Sequence, residues 1–182
     1  LAGMEPTAKV VYAASAGNWI MRHEPEIWAK TAKYVMLPTY LNYKLTGNLI
    51  DSASNQIGHI PFDYKNRRWM KPGSLTRCFC DVPNEKLCDL VPSGTVIGTV
   101  TDEVCALTGI PAGLPLISTG SDKGCETLGL AVVDSDKASI SLGTTATIQF
   151  STTQYVEPQQ FLPAYPGVLN DHYNPEIEIY RG

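Results

Sequence analysis

Apolar positions in the first third of the chain recur at helical spacing. In the segment 15–32, SAGNWIMRHEPEIWAKTA, the residues Trp19, Ile20, His23, Ile27 and Trp28 predict one buried helical stripe, interrupted near Pro25. A short apolar run, YVMLP, leads into TYLNYKLTGN, where Leu41 and Leu45 share a face and Gly47 is placed to end the helix. From 51 to 71 polar and aromatic residues mix, and DSASNQIG followed by PFDYKNRRW predicts a helical turn, a loop and the start of another helix. Ser52, Ser54 and Asn55 are candidates to face a substrate cleft, with local capping by Asp51 as the alternative. DVPNEKLCDLVPSG then predicts a short helix between prolines, followed by a turn.

Beyond that point the pattern becomes strand-like. TVIGTV alternates as a strand does, TDEVCALTG predicts a short helix opened by Thr101 and closed by Gly109, and LPLISTG predicts a buried strand. Asp102 and Glu103 sit where they complement that helix's dipole, so no catalysis is assigned to them. CETLGLAVV predicts continued helix, VDSDKA a polar break, and ASISLGTTATIQFS two strands joined by a tight turn at Gly143 and Thr144. Tyr and Pro residues between 155 and 175 predict a mobile loop. The break at Asp134 to Lys137 is the predicted domain boundary.

Composition narrows the class. A chain of 182 residues forms one domain or a small domain plus part of another, and 43% hydrophobic with 18% charged residues belongs to globular proteins. The net charge of -4, with Lys and Arg scattered, supplies no basic stripe for nucleic acid. No apolar run approaches the roughly 18 residues of a membrane span. The five cysteines, 78, 80, 88, 105 and 125, form no C-x-x-C pair, which points to reduced thiols and a cytoplasmic protein. His23, His59 and His172 lack ligand spacing, so no metal site is predicted, and Trp19 and Trp28 are expected in the core rather than against a sugar ring. The chain does not begin with Met and ends on EIEIYRG, so a fragment is expected.

Two motifs carry candidate chemistry. STGSDKGCETLGL presents Asp122 after a strand and a small-residue turn, where an acid serves as a helix cap or as a general base. Gly120 leaves room for a ligand or a close backbone. In SLGTTATI, Gly143 permits a tight turn, and Thr144 and Thr145 add hydroxyls beside backbone N–H groups that can hold phosphate oxygens; an ordinary hairpin is the alternative. An acid that accepts a hydroxyl proton and a donor-rich turn are together the parts that phosphoryl transfer to an alcohol needs.

The run from WIMRHEPEIWAKTAKYVMLPTYLNYKLTGNLIDSASN, through VPSGTVIGTVTDEVCALTGIPAGLPLISTGSDKGCETLGL, to ISLGTTATI resembles the FGGY carbohydrate kinases. Those enzymes phosphorylate sugars and polyols with ATP and Mg2+, and the landmarks are collinear from about Trp19 to Ile148. The resemblance implies an α/β, ribonuclease H-like fold of the actin, heat-shock ATPase and sugar kinase superfamily, present as a fragment. It implies that residues 1–134 are the latter part of the sugar-binding domain and 135–182 the beginning of the ATP-binding domain. It casts Asp122 as the general base toward the sugar hydroxyl, with Gly120 beside the substrate, and places Gly143, Thr144 and Thr145 against the ATP phosphates. The implied partners are a small-molecule sugar or polyol, with no nucleic acid and no membrane, and a homodimer left open. An upstream Asp-x-Gly-Thr-type loop and the adenine-binding half are expected outside this sequence, so the chain alone is expected to be nearly inactive.

Two positions depart from the family pattern. Ala16 stands where Lys is common, three residues before the first Trp, and Lys123 follows Asp122 where a neutral residue is common. Adjacent helical residues diverge, so Lys123 is expected to point to solvent. These departures keep open a non-catalytic sugar-binding or regulatory relative, beside an actin-like assembly ATPase.

Overall fold

The computed structural model describes residues 5–58, 60–74, 77, 79–143, 145–158 and 162–179. Four helices open the chain: α1 (Glu5–Ala14), α2 (Ala16–His23), α3 (Pro25–Lys30) and α4 (Leu37–Thr46). Pro25 at the first position of α3 splits the predicted single stripe, because its ring cannot continue the preceding helix. The stripe is also less buried than its spacing suggests. Trp28 packs against Cys80, Val82 and Leu87, whereas Trp19 is 49% and Ile27 57% exposed, and Trp19 stacks on His23 instead. Gly47 ends α4 in the left-handed conformation as predicted.

Parallel strands β1 (Ile50–Ser52) and β4 (Asp89–Val91) follow the helices and lie side by side. Between them, residues 62–69 form a hairpin of β2 (Phe62–Asp63) and β3 (Arg68–Trp69), not the start of a helix. The reason is aromatic packing: the fully buried Phe62 meets Tyr64 and Trp69 edge to face, and Asp63 holds Asn66 across the turn. In DVPNEKLCDLVPSG the short helix is a single 3-10 turn, Asn84–Lys86.

Antiparallel β5 (Val96–Thr99) and β6 (Pro115–Ile117) flank α5 (Asp102–Thr108), whose ends are Thr101 and Gly109 as predicted. β6 is not the buried strand expected, since among the described residues it pairs only with β5 and leaves Ile117 45% exposed. Helix α6 (Asp122–Gly129) stops earlier than its apolar pattern suggests, where Ala131 turns to a φ of 56°.

The last sheet has the order β11-β8-β7, with β7 (Ser139–Leu142), β8 (Ala146–Gln149) and β11 (Glu176–Ile179) all antiparallel. The two faces of this sheet differ in character. Ile140, Leu142, Ile148, Ile177 and Ile179 are exposed on one face, while Thr147 and Gln149 on the other are buried toward α6. The 165–174 part of the segment predicted as a mobile loop is instead anchored. β9 (Tyr165–Pro166) and β10 (Tyr173–Asn174) pair, Arg67 donates to the His172 carbonyl, and the Tyr173 hydroxyl donates to that of Lys65.

Much of the interior is polar: among the described residues, fifteen polar or charged side chains are buried. Such an interior is stable only where donors and acceptors are matched. Asp51, 2% exposed, shows how. Its Oδ1 accepts the Ser52 amide at 2.7 Å, and its Oδ2 accepts the Thr39 hydroxyl at 2.6 Å and the Asn55 amide at 3.0 Å. Asp51→Ala strands these donors and is expected to cost about 3 kcal/mol, read as a lower denaturation midpoint in urea. Asp51→Asn, which keeps one acceptor oxygen, should cost less.

Candidate active site

β6 runs into Ser118, Thr119, Gly120 and Ser121, and α6 begins at Asp122. The cap of α6 is Ser121, whose Oγ accepts the Gly124 amide at 3.1 Å, and not Asp122. Both residues are good caps; Ser121 takes the role because its extended backbone (φ -61°, ψ 162°) aims Oγ into the first turn. Asp122 is the first helical residue, exposed, and among the described residues its Oδ1 accepts the neighbouring Lys123 amide at 2.7 Å. Its carboxylate is therefore available for chemistry while the helix start is satisfied without it.

Gly120 admits the close approach of another part of the chain, one of the two uses its place predicts. A Cβ there would lie 2.8 Å from the Val168 methyl and 3.3 Å from the Ser54 Cβ, so the glycine admits close packing of the chain on itself. Asp51 is not the cap of the DSASN turn either. Ser52 is, its Oγ accepting the Ser54 amide at 3.0 Å, and Ser52 and Ser54 are buried rather than lining a cleft.

Lys123 does not point to solvent as expected. Its ammonium donates to Glu126 at 3.0 Å and to the Ser141 hydroxyl on β7 at 2.8 Å, and makes no ion pair with Asp122 among the described residues. Adjacent side chains do diverge, but β7 lies on the side to which Lys123 turns. The Glu126 hydrogen bond, foremost, holds the lysine pKa above its ordinary value. Beside it lies a cleft of about 360 Å3 between α6 and the polar face of the last sheet, lined by Lys123, Glu126, Thr127, Ser141, Thr147 and Gln149 among others. Glu176 at the start of β11 is pushed up by burial first and by Glu178, with Asp122 adding to the rise and Lys123 opposing it.

The Gly143 turn is a hairpin connection between β7 and β8, as its spacing predicts. Gly143 donates its amide to the Thr145 carbonyl at 3.0 Å, and Thr144 lies outside the described residues. An added Cβ at Gly143 would meet only the Thr145 oxygen at 3.8 Å, so the glycine face is open. α6 is tied to this hairpin by Lys123 to Ser141, two residues before Gly143, and by Thr127 to Ser139 and Gln149.

Cys80, Cys88, Cys105 and Cys125 are free thiols, and burial foremost pushes the Cys88 thiol up to about 11, which keeps it protonated and inert. Cys78 and His59 lie outside the described residues. Among the described residues no group of three His, Cys, Asp or Glu could hold a metal, and no helix is long and apolar enough to cross a membrane.

The fold is that of the sugar kinases in the actin and heat-shock ATPase superfamily. A ligand-bound xylulose kinase from Lactobacillus acidophilus superposes on the whole chain with a TM-score of 0.79 at 21% identity, the chain covering 39% of that structure. The chain belongs to the FGGY family of carbohydrate kinases, whose N-terminal domain matches residues 5–129. It is 40% identical over 105 residues to the uncharacterized sugar kinase YgcE of Escherichia coli (strain K12), a match covering 58% of this chain and 21% of that protein. It is 29% identical over 126 residues to the Xylulose kinase of the same organism, covering 69% and 25% respectively. The matched segments thus span a quarter or less of the length of these two proteins.

The cap assignment is testable by unfolding. Ser121→Ala is expected to cost about 1 kcal/mol, the loss of a helix cap. Asp122→Asn should cost only a few tenths, since it removes a charge near the dipole but no cap. Equal or reversed costs would contradict the assignment.

Proposed function

We propose that the complete protein is an ATP-dependent carbohydrate kinase in which Asp122 takes the proton from a sugar or polyol hydroxyl as that oxygen attacks the γ-phosphoryl group. The observation that carries this reading is the release of Asp122 from capping: Ser121 satisfies the helix start, leaving an exposed carboxylate on the first residue of α6, just after the turn that follows β6. In this reading residues 1–134 belong to the sugar-binding domain and 135–182 open the ATP-binding domain, a division supported by the family match that stops at 129 and by the hairpin that begins at 139.

Bound MgATP would supply the transferred phosphoryl group and the counter-charge for it. Gly143 and Thr145, with Thr144, would hold the phosphates; the open face of Gly143 fits a close approach, and its amide would exchange the Thr145 carbonyl for a phosphate oxygen. With no cluster of metal ligands among the described residues, Mg2+ fits as an ion carried by the phosphates. Lys123 holds β7 against α6, which keeps the turn near the carboxylate. A cytoplasmic kinase acting on a small polyhydroxylated substrate is the reading these features support.

In the complete protein, Asp122→Asn assayed with ketoses, aldonates and polyols is expected to lower kcat by about 100- to 10,000-fold on the best substrate, the usual range for a general base. Retained turnover would overturn the base assignment. Sugar-independent ATP hydrolysis with filament formation would favour an assembly ATPase, and absence of turnover in the wild type on every sugar would favour a non-catalytic relative.

A further inference from the structure

Three serine hydroxyls from two separate parts of the chain meet under the turn that precedes Asp122. Ser52 and Ser54 come from the β1 end, and Ser93 from the turn after β4; all three are buried. The Ser93 Oγ lies 2.9 Å from that of Ser52 and 3.0 Å from that of Ser54, and it donates to the Thr119 carbonyl at 2.9 Å. We propose that Ser93 is a positioning residue for Asp122, acting with Ser52 and Ser54 through the backbone of residues 119–121. The proposal rests on Asp122 being the general base.

Proton counting shows which contacts are committed. Each hydroxyl has one proton. That of Ser54 goes to the Gly167 carbonyl at 2.6 Å. That of Ser93 reaches the Thr119 carbonyl, with the Ser54 oxygen as its other acceptor. That of Ser52 then points to the Ser93 oxygen, while its lone pair takes the Ser54 amide. Deleting the Ser93 hydroxyl therefore strips the Thr119 carbonyl of its side-chain donor and the Ser52 proton of its acceptor together.

The turn before Asp122 is held on both sides by this hub. Before Gly120, Ser93 grips the Thr119 carbonyl; after it, the Ser54 carbonyl accepts the Ser121 amide at 3.1 Å. Gly120 between them is wedged against Val168 and Ser54. Ser93 itself is fixed, because Asn170 donates to its carbonyl at 3.0 Å and the adjacent Gly94 amide bonds the Ser118 carbonyl at 2.8 Å. The hub thus ties β1, the β4 turn and the 167–170 segment to the residue preceding the base. A displacement of about 1 Å at a reacting group can cost 100-fold in rate, so placement of this turn translates into kcat.

The test uses the complete protein. Ser93→Ala is expected to lower kcat by about 10- to 100-fold, the scale of a misplaced catalytic group, with KM for the sugar unchanged and the fold intact by circular dichroism. Ser93→Thr, which keeps the hydroxyl, should recover most of kcat. In an Asp122→Asn background, Ser93→Ala should cause no further loss, since there is no base left to place. If Asp122→Asn alone keeps its turnover, the base reading fails. If Asp122→Asn abolishes turnover while Ser93→Ala keeps wild-type kcat and lowers only the melting temperature, the positioning proposal is overturned. Should Ser93→Ala not accumulate as folded protein, Ser93→Cys is read in the same way, and wild-type kcat there would overturn the proposal.

Discussion

The hydrogen bond from the Ser121 amide to the Ser54 carbonyl, 3.1 Å long, joins two parts of the chain that are far apart in sequence, and the site depends on it. It brings the end of β6 onto the turn after β1, and Gly120 makes the approach possible by lacking a Cβ where Val168 and Ser54 crowd. From there α6 can start only in one direction. Ser121 caps it, Asp122 is left at the exposed first position, and Lys123 is turned toward Glu126 and β7. Each of these outcomes follows from where the turn sits rather than from the helix's own preferences.

A polar interior is the means by which this is achieved. Apolar burial is non-directional, so it would hold the turn without specifying its angle. A matched set of donors and acceptors specifies distance and orientation, and loses much if one member is missing. Asp51 with its three donors and the Ser52, Ser54 and Ser93 hydroxyls illustrate both properties. The same holds where the last sheet meets α6: its polar face, through Gln149, is the one turned to the helix.

Local signals in the sequence carried the elements whose determinants are local. Gly47 and Gly109 end their helices, Thr101 opens α5, and the alternation in SISLGTTATIQ gives the hairpin around Gly143. The family landmarks carried the fold class. What the sequence did not disclose depends on partners distant in the chain. Ser121 and Asp122 are equally good caps by type, and only the backbone set by Ser54 decides between them. Lys123 reaches Ser141, eighteen residues on, and Ser93 meets Ser52 from forty-one residues away. The 62–69 hairpin was hidden because its strands are two residues each and their pairing relies on the burial of Phe62. The serines of DSASN and of PSGT offer a hint, since buried hydroxyls need partners, but the pairing is not in the pattern.

The central claim is that this scaffold delivers the Asp122 carboxylate to a substrate hydroxyl. A crystal structure of the complete protein with its sugar and a non-hydrolysable ATP analogue measures that directly. The account predicts an Asp122 oxygen about 2.6–3.2 Å from the hydroxyl facing the γ-phosphate, the reach of a general base. A sugar bound with that hydroxyl held by another side chain, and Asp122 beyond hydrogen-bond and water-bridged reach, would contradict it.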